Sequence, residues 1–369
     1  MRKSTVLLIS IGCLITVTWL AGCQSKETPD TQLEGQYFKF LQAYPIPDSA
    51  QVDLAFNPTD FEIVSPDHIF LTTPFTTRRI LETALPLREF KQVGREGLGP
   101  GEYARPMYIA VDRQMLYYSD TGGVIKSIPL PDNPGGSKQQ TYMIPSVSGG
   151  DFAVRFPYLA VLNNNAPYIS LFKLEANGRV QLLKTFLKFE DYYGIVNRHA
   201  NGGGIVFDSS GTLYVMPVAP YVISSFRIQD TGDSVAVKRI HQFNLQASLQ
   251  GSEYFKPWTR KKYTHTMQLE NRQRLDFLSG AATTINHCWI LEHGNQQALL
   301  VDFYTHMENG KKIHSQYVLQ VISLTDGRVI HTYYCSMPVL GVYRDVVYFY
   351  HSSKTEPLKI STYRWLGYN

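Results

Sequence analysis

The densest run of residues able to do chemistry is Val93-Gly94-Arg95-Glu96-Gly97-Leu98-Gly99-Pro100-Gly101-Glu102-Tyr103, with four glycines. Glycine-rich turns cradle phosphate when bare backbone amides converge on the anion, and that chemistry has a strict frame. A phosphate loop of the ATPase kind needs a lysine followed by serine or threonine, and neither Gly99 nor Gly101 is followed by one. A dinucleotide loop needs a strand before, a helix after and an acid about 20 residues on. Pro100 and Pro106 oppose a helix at this point, and Glu102 would repel phosphate. The stretch therefore reads as a crossing that the chain needs for its shape. Gly94, Gly97, Gly99 and Gly101 supply backbone freedom, Pro100 stiffens the corner, and Arg95, Glu96, Glu102 and Arg105 are expected to pair along a rim.

Other reactive types are dispersed. Asn163, Asn164, Asn165, Asn201 and Asn286 carry amide oxygens that suit calcium, but they sit at turns, where asparagine is favoured for its backbone tolerance. His287 and His293 are six apart, without the i, i+4 pairing of a zinc helix. No nucleophile elbow G-x-S-x-G occurs, and Glu190-Asp191 reads as a solvated loop. No catalytic residue, metal ligand or cofactor is assigned on these grounds; a calcium ion in a central channel is the one cofactor left open. The remaining candidate is an aromatic and basic stretch. Tyr254, Trp258 and Tyr263 beside Arg260, Lys261 and Lys262 could stack a sugar or a peptide. The competing reading packs Trp258 back onto the fold and leaves the basic side chains solvated.

The chain start sets the compartment. Arg2 and Lys3 precede a mostly apolar run from Val6 to Leu20, the length of a signal-peptide core and short for a membrane span of about 20 residues. It ends in Leu20-Ala21-Gly22-Cys23. LAGC resembles the lipobox of bacterial lipoproteins, which implies cleavage between Gly22 and Cys23 and a lipid on the Cys23 sulfur. Residues 1–22 are then a signal peptide and 23–34 a polar, disordered tether. Gln24 is not the aspartate that retains lipoproteins at the inner membrane of enteric bacteria, so the outer membrane is expected. With Arg2 and Lys3 removed, 33 of the 35 Lys and Arg remain against 31 Asp and Glu. That balance, without a basic stripe, argues against nucleic acid as a partner. After Cys13 and Cys23, only Cys288 and Cys335 remain, read as two buried thiols in strands with pairing left open.

The positioning elements are strands. Twenty-four Tyr and 19 Phe join β-branched runs that alternate with Asp, Asn, Gly and Pro turns. The clearest block runs Ile109-Ala110-Val111-Asp112, Leu116-Tyr117-Tyr118-Ser119-Asp120, Val124 to Ile128. A second copy starts at Gly204, with Asp208 lying 96 residues after Asp112, two units of 48. Aspartate before a turn closes it by accepting amides two residues on. Looser copies begin at Phe61 and Tyr158; another places Ala282 to Ile285 before a turn at Asn286-His287 and a strand from Cys288; the last begins at Leu340. Six units spaced mostly 45 to 50 residues apart match four-stranded propeller blades. The only helical stretch is an insertion at about 245–279. Either Tyr37 to Leu41 or Gln51 to Leu54 is expected to complete the sixth blade.

GREGLGPGEY, followed by IAVD and LYYSD, resembles NHL-type propellers and, more closely, the six-bladed, TolB-like propeller lipoproteins of Bacteroidetes. The resemblance spans about residues 35–369 and implies an all-β, six-bladed β-propeller of four-stranded blades behind a lipid anchor. The sialidase Asp-box is excluded, since Asp208-Ser209-Ser210-Gly211 has two residues where the box has one. The expected function is a non-catalytic envelope binding module, partnered by the membrane through its lipid and by an envelope protein, peptide or glycan. The alternative is a metal-dependent, lactonase-like hydrolase or lyase with its site in the channel.

Overall fold

The computed structural model describes residues 33, 35–51, 60–99, 101–121, 123–130, 140–144, 151–200, 202–231, 234–250, 252–309, 312–335, 337–351 and 358–368. Six four-stranded antiparallel sheets follow one another along the chain. Their first strands are Phe61–Ser65, Ile109–Asp112, Phe152–Arg155, Gly204–Phe207, Thr284–His293 and Val339–Tyr343. Each first strand touches those of both neighbouring sheets, so the six close a ring around a central channel. This is a six-bladed β-propeller; the blades are numbered 1 to 6 in chain order. The segment expected to be a signal peptide, with Gly22 and Cys23, and nearly all of the expected tether lie outside the described residues.

Blade 6 is composite. Its outermost strand is the N-terminal Phe38–Pro45, which pairs antiparallel with Lys359–Trp365 at the C-terminus. Thus the first of the two expected closing segments, extended to Pro45, performs the closure; Gln51 instead ends a short helix, α1 (Asp48–Gln51). Phe38, 1% exposed, meets the Tyr333 ring edge-on at 5.2 Å between centroids, locking the joint to blade 5. Alternation explains the strands. Inward faces such as Leu213, Val215 and Ile223 pack between adjacent blades, and outer strands such as Val180–Phe186 carry exposed polar residues.

Antiparallel pairing puts all crossings between blades at one end of the ring, here the crossover face, and the hairpins from first to second strand at the other, the turn face. The helical insertion lies on the crossover face as α3 (Gln246–Leu249), α4 (Arg260–Gln268) and α5 (Asn271–Ala281). A further helix, α2 (Gly194–Ala200), lies in the crossing from blade 3 to blade 4, after Glu190 and Asp191, which are exposed.

Two expectations are corrected. Asn286-His287 is not a turn: Thr284–His293 is one strand whose pairing with Gln296–Asn309 shifts by one residue between Ile285 and His287, a β-bulge. Asp112 does not close its own turn; its Oδ2 accepts the Phe156 amide of blade 3 at 2.8 Å. Asp208 does act locally, accepting the Thr212 amide at 2.8 Å.

The glycine crossing follows blade 1. Gly94 and Gly101 both have φ of 71°, and a Cβ on Gly94 would stand 2.7 Å from the Gly101 oxygen. The loop folds on itself, Arg95–Glu96 pairing parallel with Glu102–Tyr103. Glu102 accepts the Gly99 amide at 2.8 Å and Arg95 Nε at 2.7 Å. Beneath it Lys126, 3% exposed, donates to the Glu102 carbonyl at 2.7 Å and to Asp120 Oδ2 at 3.1 Å. Of the expected rim pairs, Arg95 and Glu102 meet, while Arg105 lies over the Phe75 ring; Pro100 is outside the described residues. The crossing binds its own carboxylate and a buried lysine.

Candidate functional site

The channel gathers ionisable side chains from alternate blades. Asp60 and Asp151 immediately precede the first strands of blades 1 and 3, each followed by phenylalanine. Asp60 Oδ1 accepts the Phe61 amide at 2.8 Å and Asp151 Oδ1 accepts the Phe152 amide at 2.7 Å, the same cap at the same blade position. The second oxygens differ. Asp60 Oδ2 takes the Ile109 amide of blade 2 at 2.6 Å, whereas Asp151 Oδ2 faces His287 Nδ1 of blade 5 at 3.7 Å. The bulge at Asn286 gives His287 its register opposite Asp302. Glu62, two residues after Asp60, joins them, and together they line a cavity of about 160 Å³.

Packing around the bulge requires bare backbone. A Cβ on Gly204, at the start of blade 4, would stand 2.5 Å from Cys288 Sγ and 2.7 Å from its backbone nitrogen. Cys288 and Cys335 are both free and buried, as thiols in strands. Burial, with Asp151 nearby, pushes the Cys288 thiol well up, so it is a neutral wall of the channel rather than a nucleophile.

Burial dominates the electrostatics because it penalises the charged form of each acid. Asp60 rises to about 7 through burial and the neighbouring Asp151. Glu62 rises to about 8 through burial and Asp60, and Asp302 to about 8 through burial despite the Asn286 and His287 contacts. Burial pulls His287 down, but the neighbouring Asp151, helped by Asp60 and Asp302, outweighs it and holds the imidazole at about 9. At neutral pH the channel thus holds a protonated histidine against Asp151, with further acids able to ionise if positive charge arrives.

A single metal ion does not fit these positions well. Each Asp60 oxygen accepts one backbone amide and keeps a free lone pair, and among the described residues no three His, Cys, Asp or Glu side chains are grouped to share an ion.

The aromatic and basic candidates lie elsewhere on the crossover face. Trp258, 3% exposed, donates Nε1 to the Tyr192 carbonyl at 2.8 Å and packs into the core between blades 4 and 5. Arg260 pairs with Glu190 at 2.7 Å over the Tyr192 ring, and Lys262 donates to the Pro257 and Ala281 carbonyls. Tyr263 lies near Tyr192, Tyr254 against Tyr334, and Lys261 is exposed. These contacts fasten the insertion; among the described residues, none of the six lines the channel cavity.

No family model matches the sequence, and no curated protein does either. The fold has counterparts among solved structures. A protein of Bacteroides fragilis described as exported superposes with a TM-score of 0.55 at 11% identity, covering 89% of this chain and 95% of that one. A protein of Lactobacillus plantarum gives 0.42 at 13% identity over 75% and 84%. At such identities the first likeness speaks for the fold alone.

Proposed function

We propose that this chain is a lipid-anchored cell-envelope propeller, of the NHL-like and TolB-like lipoprotein kind, that acts as a binding module holding a cationic group of its ligand in the central channel. One observation carries the ligand assignment: Asp60, Glu62 and Asp151 converge with His287 on one small cavity from blades 1, 3 and 5. Buried carboxylates are costly unless neutralised, and an ammonium or guanidinium group entering the cavity would let them ionise. The ligand class is a basic side chain of an envelope peptide or protein. The exported Bacteroides fragilis neighbour and the Leu20-Ala21-Gly22-Cys23 motif support the envelope placement and the anchor on Cys23, with the outer membrane as the expected site.

The binding test is calorimetry with N-acetyl-arginine amide and N-acetyl-lysine amide against the uncharged N-acetyl-norleucine amide. Saturable binding of the charged probes, weakened about tenfold or more by Asp151→Asn, supports the reading. Equal binding of the uncharged probe, or none of any, removes it. For the anchor, Cys23→Ala must abolish acyl labelling; persistent labelling refutes lipidation.

A second reading has its own observation. Asp60 and Glu62 sit at about 7 and 8, the range in which a side chain both gives and takes protons, as general acid–base work requires. That favours a lactonase-like hydrolase or lyase with its site in the channel, and turnover of an ester or lactone panel lost in Asp60→Asn would establish it.

A further inference from the structure

On the turn face, between blades 2 and 3, lies a second cavity of about 270 Å³. Its walls are the rings of Tyr117, Tyr142 and Phe156 with Met115, and Arg113 is the one charged side chain lining it. We infer that this cavity is a binding site for an aromatic carboxylate.

Four observations carry the assignment. First, Tyr117 is 3% exposed as a whole and lines the cavity, and its hydroxyl makes no hydrogen bond among the described residues, so it is open to a ligand there. Burial raises its pKa beyond the usual phenol range, so the group stays neutral and can donate. Second, the Arg113 guanidinium lies 5.5 Å from the Phe156 ring centroid, with only Nε near a carboxylate, Asp112 Oδ2 at 4.0 Å. Its outer nitrogens make no ion pair among the described residues, and a guanidinium takes a carboxylate in two parallel bonds. Third, the Tyr117 and Tyr142 rings are tilted by 30° with centroids 6.5 Å apart, so the site offers ring faces as well as donors. Fourth, Arg113 and Gln114 both adopt positive φ, 48° and 59°, in a two-residue turn where Asn-Gly would be unstrained. Strain of this kind persists where the surroundings impose it, and this turn carries Arg113, which lines the cavity.

The donors select an anion, and the rings select a flat apolar body. A cavity of this size holds a one- or two-ring acid, at the lower end of small-molecule sites. The channel selects positive charge, so the two sites are independent and of opposite preference.

The test is calorimetry on the full chain with phenylacetate, its neutral amide phenylacetamide, and glucuronate as a non-aromatic acid. Phenylacetate should bind saturably at millimolar concentration or below. Arg113→Gln should weaken it about tenfold and Tyr117→Phe severalfold, while far-ultraviolet circular dichroism and N-acetyl-arginine amide binding stay unchanged. Tyr117→Phe preserves the ring and serves if Arg113→Gln does not fold. Absence of phenylacetate binding, tighter binding of glucuronate or phenylacetamide, or affinity indifferent to both substitutions overturns the assignment.

Discussion

His287 of blade 5 and Asp151 of blade 3 face each other in the channel, Nδ1 to Oδ2, at 3.7 Å. Neither residue is near the other in sequence, and blade 4 lies between their two blades in ring order. The contact ties alternate blades across the ring, and it sets the charge of the cavity. In Asp151→Asn, the largest of the charges that hold His287 at about 9 is removed, leaving burial opposed only by Asp60 and Asp302. A histidine-resolved NMR titration should show His287 falling to its ordinary value of 6.5 or below. An unchanged value would mean that Asp60 or Asp302 holds the proton.

Stability should decline as pH rises. Asp60, Glu62 and Asp302 have folded pKa values raised to about 7, 8 and 8, so their stabilisation is complete below the unfolded carboxylate range and is lost as pH climbs through the folded values. His287, raised to about 9, acts in the same direction between 6.5 and 9. Thermal melts should fall steadily from about pH 5 to pH 9, each pKa unit being about 1.4 kcal/mol at most. Asp60→Asn combined with Glu62→Gln should flatten the slope; melts that rise with pH would reverse the sign assigned to the channel.

Gly204→Ala should destabilise the propeller by about 1–3 kcal/mol, the usual range for overpacking. The added carbon meets both the Cys288 sulfur and its backbone nitrogen. Adding Cys288→Ala removes only the first contact, so urea unfolding should recover only part of the loss.

Lys126→Met should cost about 3–5 kcal/mol in urea unfolding, because it leaves Asp120 buried without its cation and the Glu102 carbonyl with only the Tyr118 hydroxyl as donor. Asp120 still accepts the amides of Ala104, Arg105 and Thr121, so the loop should loosen rather than detach. A cost below 1 kcal/mol would show that the glycine crossing stands on its own bonds.

Much of this architecture was legible from residues 93 to 128 and 204 to 226, where strands and turns alternate at a regular spacing, even though Asp208 closes its own turn and Asp112 reaches blade 3. The site was less legible, for two physical reasons. The bulge that gives His287 its register arises from cross-strand pairing, and Asn286-His287 carries the same local signal as a turn. The channel cluster also forms only when the ring closes, joining residues from position 60 to position 302. One local signal was present: Asp60-Phe61 and Asp151-Phe152 repeat at the head of two blades, and both aspartates cap the phenylalanine amide. An aspartate fixed there in two blades is a pair aimed at one axis. The aromatic and basic insertion was conspicuous in composition, but Trp258 and Lys262 are spent on holding it down.

The most direct test of the cationic channel is proton exchange on binding. N-acetyl-arginine amide should be titrated calorimetrically at pH 7 in two buffers of different ionisation enthalpy. A cation entering beside Asp60, Glu62 and His287 must drive protons off groups held at about 7, 8 and 9. The predicted result is net proton release, reduced in Asp60→Asn and Glu62→Gln. Binding with no proton exchange, or with proton uptake, would contradict the assignment of the channel as the cation site.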